Sequence, residues 1–172
     1  AYAYDGGLAI EMLRSPAGPQ RLPATTVTAL GAPRPLYAIY TDITPHLGTL
    51  LSFRRDLHAN PELKYEEHRT SDKVAAYLTA LGLTVHRGLG QTGVVASIYG
   101  KGRSKDNPGR SIGIRADMDA LPVTEINTFG HISQNKGRMH ACGHDGHTTM
   151  LLGAATTPVP VGASHSFSPL AA

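Results

Sequence analysis

The chain has 172 residues, of which 41% are hydrophobic and 17% charged, a balance that can build a buried core. At this length, folding buries roughly 70% of the surface that the unfolded chain exposes. The net charge of +3 comes from scattered Lys and Arg without a long basic run, which argues against nucleic-acid binding. No apolar run reaches the length of a membrane span. The single cysteine, Cys142, excludes an internal disulfide and suits a reducing, cytoplasmic compartment.

Residues 1–44 are rich in proline, contain the pair Gly6-Gly7 and have only short apolar patches. They do not resemble a signal peptide, because no basic start precedes a continuous apolar stretch. We therefore expect residues 1–44 to form a flexible extension that has no assigned function.

Helical signals begin at Thr44-Pro45, where proline suits the first turn of a helix. The leucines that follow have helical spacing, and Pro61 should end this helix. A second helix is predicted from Glu66 to Leu81, with Gly82 as its C-terminal stop. Strands are predicted over 83–86 and 93–99.

A further strand is predicted from Ser111 to Ile114, and it leads directly to Asp117 and Asp119. The last predicted helix covers 146–155, with Asp145 as its N-cap. Alternating strands and helices indicate an α/β fold, which we interpret as a partial three-layer sandwich with a mixed β-sheet.

The stretch from Met139 to His147 holds three histidines, the only cysteine and one aspartate within nine residues. Imidazole, thiolate and carboxylate are the groups by which proteins bind transition metals. The pattern lacks the paired C-x-x-C spacing of a zinc knuckle, so a metal site and unrelated surface or core roles both remain open. A thiolate–imidazole pair of Cys142 with His144 is a third interpretation.

Two carboxylates, Asp117 and Asp119, lie two residues apart where the predicted strand ends. Ligands gather at the carboxyl ends of strands in open α/β sheets, and two carboxylates there repel each other unless a cation or donors compensate. The pattern predicts either a metal-binding or metal-orienting pair, or an ordinary Asp-rich turn.

Three blocks, in this order and spacing, carry a family resemblance: Phe53 to Leu63, Ile114 to Pro122, and Met139 to His147. Together they resemble the metal-dependent amidohydrolases of the hippurate hydrolase and indole-acetyl-amino-acid hydrolase type. These belong to the wider clan of aminoacylases and carboxypeptidase-like metallopeptidases. The resemblance implies that residues 45–155 form the first part of an incomplete, zinc-peptidase-like catalytic domain.

The resemblance also implies roles for individual residues. Cys142 and His144 stand at metal-ligand positions, and Asp119 stands at the aspartate that orients a ligand. Supporting roles are implied for Asp117, His140 and His147, although Asp117 replaces a metal-binding histidine of the wider clan. The implied cofactor is a divalent metal, manganese or zinc with cobalt or nickel as alternatives, and two ions per site in a complete enzyme.

The departure from the family begins after Ala155, where Pro158 and Pro160 should end the helix. The family continues to a Glu-Glu pair that supplies a ligand and the general base, whereas residues 156–172 form a divergent tail without glutamate. We therefore expect no general base in this chain, and we interpret the chain as a truncated and inactive piece of such an enzyme.

Three functional interpretations follow. The parent family hydrolyses the amide bond of N-acyl amino acids, with a small-molecule substrate, no nucleic-acid or membrane partner, and a homodimer in the complete enzyme that is not expected for this piece. The first alternative is a non-catalytic metal-binding or interaction fragment. The second is a cysteine-dependent hydrolase that uses Cys142.

Overall fold

A computed structural model describes residues 7–11, 43–99 and 112–156 of the chain. It contains four strands, three α-helices and one 3-10 turn: β1 (Gly7–Glu11), the 3-10 turn (Thr44–His46), α1 (Leu47–Ala59), α2 (His68–Ala80), β2 (Val85–Leu89), β3 (Gly93–Ser97), β4 (Gly113–Asp117) and α3 (His144–Thr156). None of the helices in these ranges is long and apolar enough to span a bilayer.

The four strands form one mixed sheet in the order β2-β3-β1-β4. β1 runs parallel to β3 and antiparallel to β4, while β2 and β3 are antiparallel. The register places Leu8 between Val94 of β3 and Ala116 of β4. The predicted α/β class and the mixed sheet are therefore confirmed.

The strand β1 corrects the sequence prediction for the N-terminal region. Residues 1–44 were expected to be a flexible extension, yet Gly7–Glu11 pair on both sides within the sheet. Periodicity could not reveal this strand, because a short apolar run such as Leu8 to Ile10 carries no clear signal. The rest of the predicted extension up to residue 42, and residues 157–172 of the predicted tail, lie outside the described residues.

The hydrophobic core lies between the sheet and the helices. Its fully buried side chains include Val74 and Leu78 from α2, Val94 from β3, and Leu152 from α3. The second predicted helix therefore packs against the sheet through Val74 and Leu78. In α1, however, Leu47 and Leu51 remain exposed and Leu50 faces the core.

Two of the helix ends agree with the sequence prediction, and one does not. α1 ends at Ala59, two residues before Pro61, and α2 is followed by Gly82 at φ +77°. A positive φ costs glycine little, so Gly82 stops the helix as predicted. α3 already begins at His144, so the prediction that Asp145 caps a helix from residue 146 was wrong.

Candidate metal centre

Two short main-chain contacts bring the Asp-bearing and His/Cys-bearing segments together. Leu121 and Met139 exchange backbone hydrogen bonds of 2.9 and 3.0 Å, which form an isolated bridge. The chain then turns through Gly143, at φ +82°, and enters α3 at His144. This arrangement places the first turn of α3 beside the segment that leaves β4.

Asp119 contacts His144 through two oxygen atoms. The Nδ1 of His144 lies 2.9 Å from the Asp119 carboxylate and 2.9 Å from its backbone carbonyl. Both are acceptors, so Nδ1 carries a proton, and in the neutral ring Nε2 then keeps its lone pair. An aspartate that orients a metal-binding histidine makes the same contact. The role predicted for Asp119 has this geometry, and it stays a prediction.

Cys142 lies in the turn before α3, with an exposed and free thiol. The ring of the exposed His147 lies 5.6 Å from that of His144, between centroids. Within the described parts of the chain, no three His, Cys, Asp or Glu side chains converge into a group that could hold a metal. Cys142 and His144 therefore offer two donors rather than a complete coordination shell.

The predicted supporting residue Asp117 points its carboxylate elsewhere. Its Oδ1 lies 2.7 Å from the guanidinium of Arg115, and its side chain is 41% exposed. Its backbone carbonyl accepts a 3.0 Å hydrogen bond from the hydroxyl of Thr148 in α3. Asp117 thus contacts α3 through its main chain, and it does not join His144 and Asp119.

The predicted supporting residue His140 is buried, and neither ring nitrogen has a hydrogen-bond partner. Burial lowers the pKa of His140 to about 4, against the opposing charge of the nearby Asp145 carboxylate. The imidazole is therefore neutral at pH 7. One carboxylate oxygen of Asp145, Oδ1, is also buried without a partner. Buried polar atoms without a hydrogen-bond partner are rare in folded proteins.

His58, for which no role was predicted, lies in the same region. His58 Nδ1 lies 2.9 Å from Asp145 Oδ2, and its Nε2 lies 3.0 Å from Glu125 Oε1. Arg54, one turn earlier in α1, donates to Asp145 Oδ2 at 3.2 Å. The spacing of Arg54 and His58 indicates a shared helix face. No local pattern could reveal partners 87 and 67 residues away.

Glu125 is held as a carboxylate by three donors. Burial raises its pKa, but hydrogen bonds from Asn127, the Ser133 backbone N–H and His58 outweigh burial and lower the pKa to about 2. At neutral pH this group is an ionised acceptor with its oxygens engaged. Such a carboxylate is poorly suited to accept a proton during catalysis.

A second residue without a predicted role is Glu67, which is fully buried where α2 begins. Its Oε2 accepts a 2.6 Å hydrogen bond from the Thr92 hydroxyl, while Oε1 has no partner. Burial raises the pKa of Glu67, and the nearby charge of Asp119 adds to this effect. From the sequence alone, Glu67 looks like an ordinary charged residue at a helix start.

Comparisons with known proteins show which proteins this chain resembles. The profile of peptidase family M20/M25/M40 matches residues 113–158. An N-acyl-L-amino acid amidohydrolase of Geobacillus stearothermophilus is 48% identical over 106 residues, which cover 62% of this chain and 27% of the relative. A hippurate hydrolase of Campylobacter jejuni is 44% identical over 108 residues, 63% of this chain and 27% of the relative.

Solved structures show the same similarity. The YXEP protein of Bacillus subtilis, described as a dinuclear metal binding peptidase from M20 family, superimposes with a TM-score of 0.52 at 32% identity. That match covers 63% of this chain and 30% of the other. The chain therefore spans about a quarter to a third of the length of the relatives that it matches.

Proposed function

We propose that residues 45–155 carry the first metal-ligand segment of a metal-dependent amidohydrolase of peptidase family M20/M25/M40, the family whose profile matches residues 113–158. The supporting observation is the contact of Asp119 with His144 Nδ1, which leaves Nε2 available as a ligand. The names of the relatives favour N-acyl amino acids as the substrate class.

The proposed ligands are the thiolate of Cys142 and Nε2 of His144. The exposed thiol lies in the turn that leads directly to His144, so one divalent ion could be reached by both side chains. A sulfur and a nitrogen donor suit zinc, and manganese, cobalt and nickel are the alternatives to be tested. His140 and His147 are proposed as supporting residues, whereas Asp117 supports α3 only through its backbone carbonyl, which accepts from Thr148.

When bound, divalent ions would polarise the amide carbonyl and lower the pKa of a water molecule. The residues of this chain would then act as a framework. Asp119 fixes the tautomer and orientation of His144, and Asp117 holds Thr148 of α3 through its carbonyl. The low pKa of Glu125 argues against its use as the general base. We propose that amide hydrolysis needs a base beyond the described residues.

Metal binding without hydrolysis is the second candidate function. It is favoured by the same engaged state of Glu125, which leaves the described residues without a free general base near His144. Hydrolysis of hippurate by the 172-residue chain, measured with excess manganese, separates the two candidates. We expect a rate hardly above that of manganese-containing buffer. Robust turnover that is lost in Cys142→Ser and His144→Ala would favour the full amidohydrolase.

The ligand assignment is tested by calorimetric titration with zinc and manganese. We expect Cys142→Ser and His144→Ala each to weaken binding at least about tenfold, the loss that even outer-shell changes cause in metal sites. His86→Ala is the matched control, because His86 is exposed on β2. Unchanged affinity and stoichiometry in Cys142→Ser would remove the thiol from the site. Metal-independent activity that needs Cys142 would instead indicate a cysteine hydrolase.

A further inference from the structure

His58 joins three segments that are far apart in sequence. Its ring projects from the last turn of α1 and contacts Asp145 in α3 and Glu125 in the loop between Asp119 and Met139. The three side chains are 7%, 0% and 3% exposed, so water competes little for these contacts. We call this set the His58 triad, namely His58, Asp145 and Glu125.

The hydrogen-bond inventory of the triad requires both ring nitrogens to donate. An ionised carboxylate only accepts, and Asp145 Oδ2 already accepts from Arg54 while Glu125 accepts from Asn127 and Ser133. Two acceptors at opposite sides of one ring therefore need a proton on each nitrogen. His58 thus bridges the two carboxylates through both ring nitrogens, and hydrogen bonds to charged groups are the strong ones.

The triad acts on the residues next to it in the chain. Asp145 directly follows His144 in the first turn of α3, where a negative side chain also favours the helix dipole. Glu125 lies in the same loop that starts after Asp119 and returns through Met139 to the Cys142 turn. A further backbone hydrogen bond, from Gln134 to the carbonyl of Ala59, ties this loop to the end of α1.

From this geometry we infer that His58 is a positioning residue: through Asp145 and Glu125 it fixes the first turn of α3 and the adjoining loop, and so sets where Cys142 and His144 present their donor atoms. The inference rests on the proposed metal site. Asp119 orients one ligand ring directly, whereas His58 fixes the backbone that carries both ligands. Outer contacts of this kind change metal affinity by about 10–100-fold in known sites.

The first measurement concerns the metal-free chain. Long-range proton–nitrogen NMR of the histidine rings at neutral pH should show one buried ring with both nitrogens protonated. This signal should be missing in His58→Leu and retained in the control His86→Leu, whose histidine is exposed on β2. A neutral tautomer at His58 would overturn the bridging arrangement without any reference to metal.

The second measurement uses cobalt as the probe, because a thiolate ligand gives cobalt a charge-transfer absorption band. We expect His58→Leu to raise the cobalt dissociation constant at least about tenfold and to alter this band, while His86→Leu leaves both unchanged. His58→Gln keeps one donor and should recover part of the affinity. A role in stability alone would lower the unfolding temperature and leave the affinity and spectrum of the folded variant as in wild type, and that result would overturn the inference.

Glu125→Gln provides the test if His58→Leu does not fold, because it changes only the loop end of the triad. It should weaken cobalt binding several-fold, and wild-type affinity would overturn the inference. Cys142→Ser and His144→Ala are titrated in parallel. If these two bind cobalt like wild type, the proposed metal site itself is wrong. If Cys142→Ser and His144→Ala lose cobalt binding while the folded His58 variants keep it, the metal site is supported and only the positioning role of His58 is wrong.

Discussion

The two ends of α3 are held by different kinds of contact. Its second half packs Leu151 and Leu152 into the apolar core, and Gly153 approaches Leu50 so closely that an added Cβ would lie 3.2 Å from a Leu50 methyl group. Its first turn is held by directed polar contacts, from Asp119 to His144 and from His58 to Asp145. Apolar packing holds the helix against the sheet, while the polar contacts orient the side chains of its first turn.

The comparison predicts the largest loss of stability at the apolar end. Leu152→Ala should lower the free energy of unfolding by about 2–5 kcal/mol, because Leu152 is fully buried and its truncation leaves a cavity. Urea unfolding measures this loss. Met150→Ala is the control on the same helix, since Met150 is 66% exposed, and it should change stability by no more than about 0.5 kcal/mol. Equal effects of both variants would contradict the assigned packing.

At the polar end, Asp145→Asn should lower the free energy of unfolding by about 1.5–3 kcal/mol, the range for hydrogen bonds to charged groups. The variant keeps the side-chain size but removes the charge that accepts from His58 and Arg54. Urea unfolding of the metal-free chain measures the effect. A loss as small as that of Met150→Ala would show that the buried contacts contribute little to stability.

Asp119→Asn tests the orientation of the His144 ring without changing the apolar packing of α3. We expect zinc affinity to fall about tenfold or more, equivalent to about 1.4 kcal/mol, because an amide no longer selects the ring tautomer as strongly as a carboxylate does. Titration calorimetry measures the affinity. Leu152→Ala, assayed under conditions where it is folded, should bind zinc like wild type. A loss of zinc affinity in Leu152→Ala as large as that in Asp119→Asn would show that the two ends of α3 do not differ in their effect on metal binding.

The smallest expected effect is a pH-dependent one at Glu125. Its pKa is about 2 in the fold against an ordinary value of 4.5, so its ionised form stabilises the fold above about pH 4.5, and this contribution is lost as the pH falls towards 2. Because the amide oxygen of Gln still accepts hydrogen bonds, Glu125→Gln should cost only about 1 kcal/mol at pH 7, the net contribution of a typical hydrogen bond, and the difference from wild type should shrink towards pH 2. Unfolding free energies at several pH values measure it. A difference that does not change with pH would contradict the assigned pKa.

Much of the candidate site was open to prediction from local sequence. The ligand types are packed within the nine residues from Met139 to His147, and Asp119 lies at the end of a recognisable strand. The contact of Asp119 with His144, across 25 residues of sequence, has the geometry of an aspartate that orients a histidine. The network around His58 was not predictable in this way, because its partners come from three segments whose mutual distances no local pattern encodes.

Local sequence patterns are enough to predict α1, α2 and the α/β class. Helical spacing, Pro61 and Gly82 act on the backbone within a few residues of their own positions. Three other features depend on tertiary contacts. Gly7–Glu11 enter the sheet, and Asp117 pairs with Arg115. Asp145 contacts His58 and does not cap its helix. The same physical cause accounts for these three contacts. A polar group or a short strand takes the partner that the folded chain brings within hydrogen-bond distance, and burial then excludes the water that would otherwise compete.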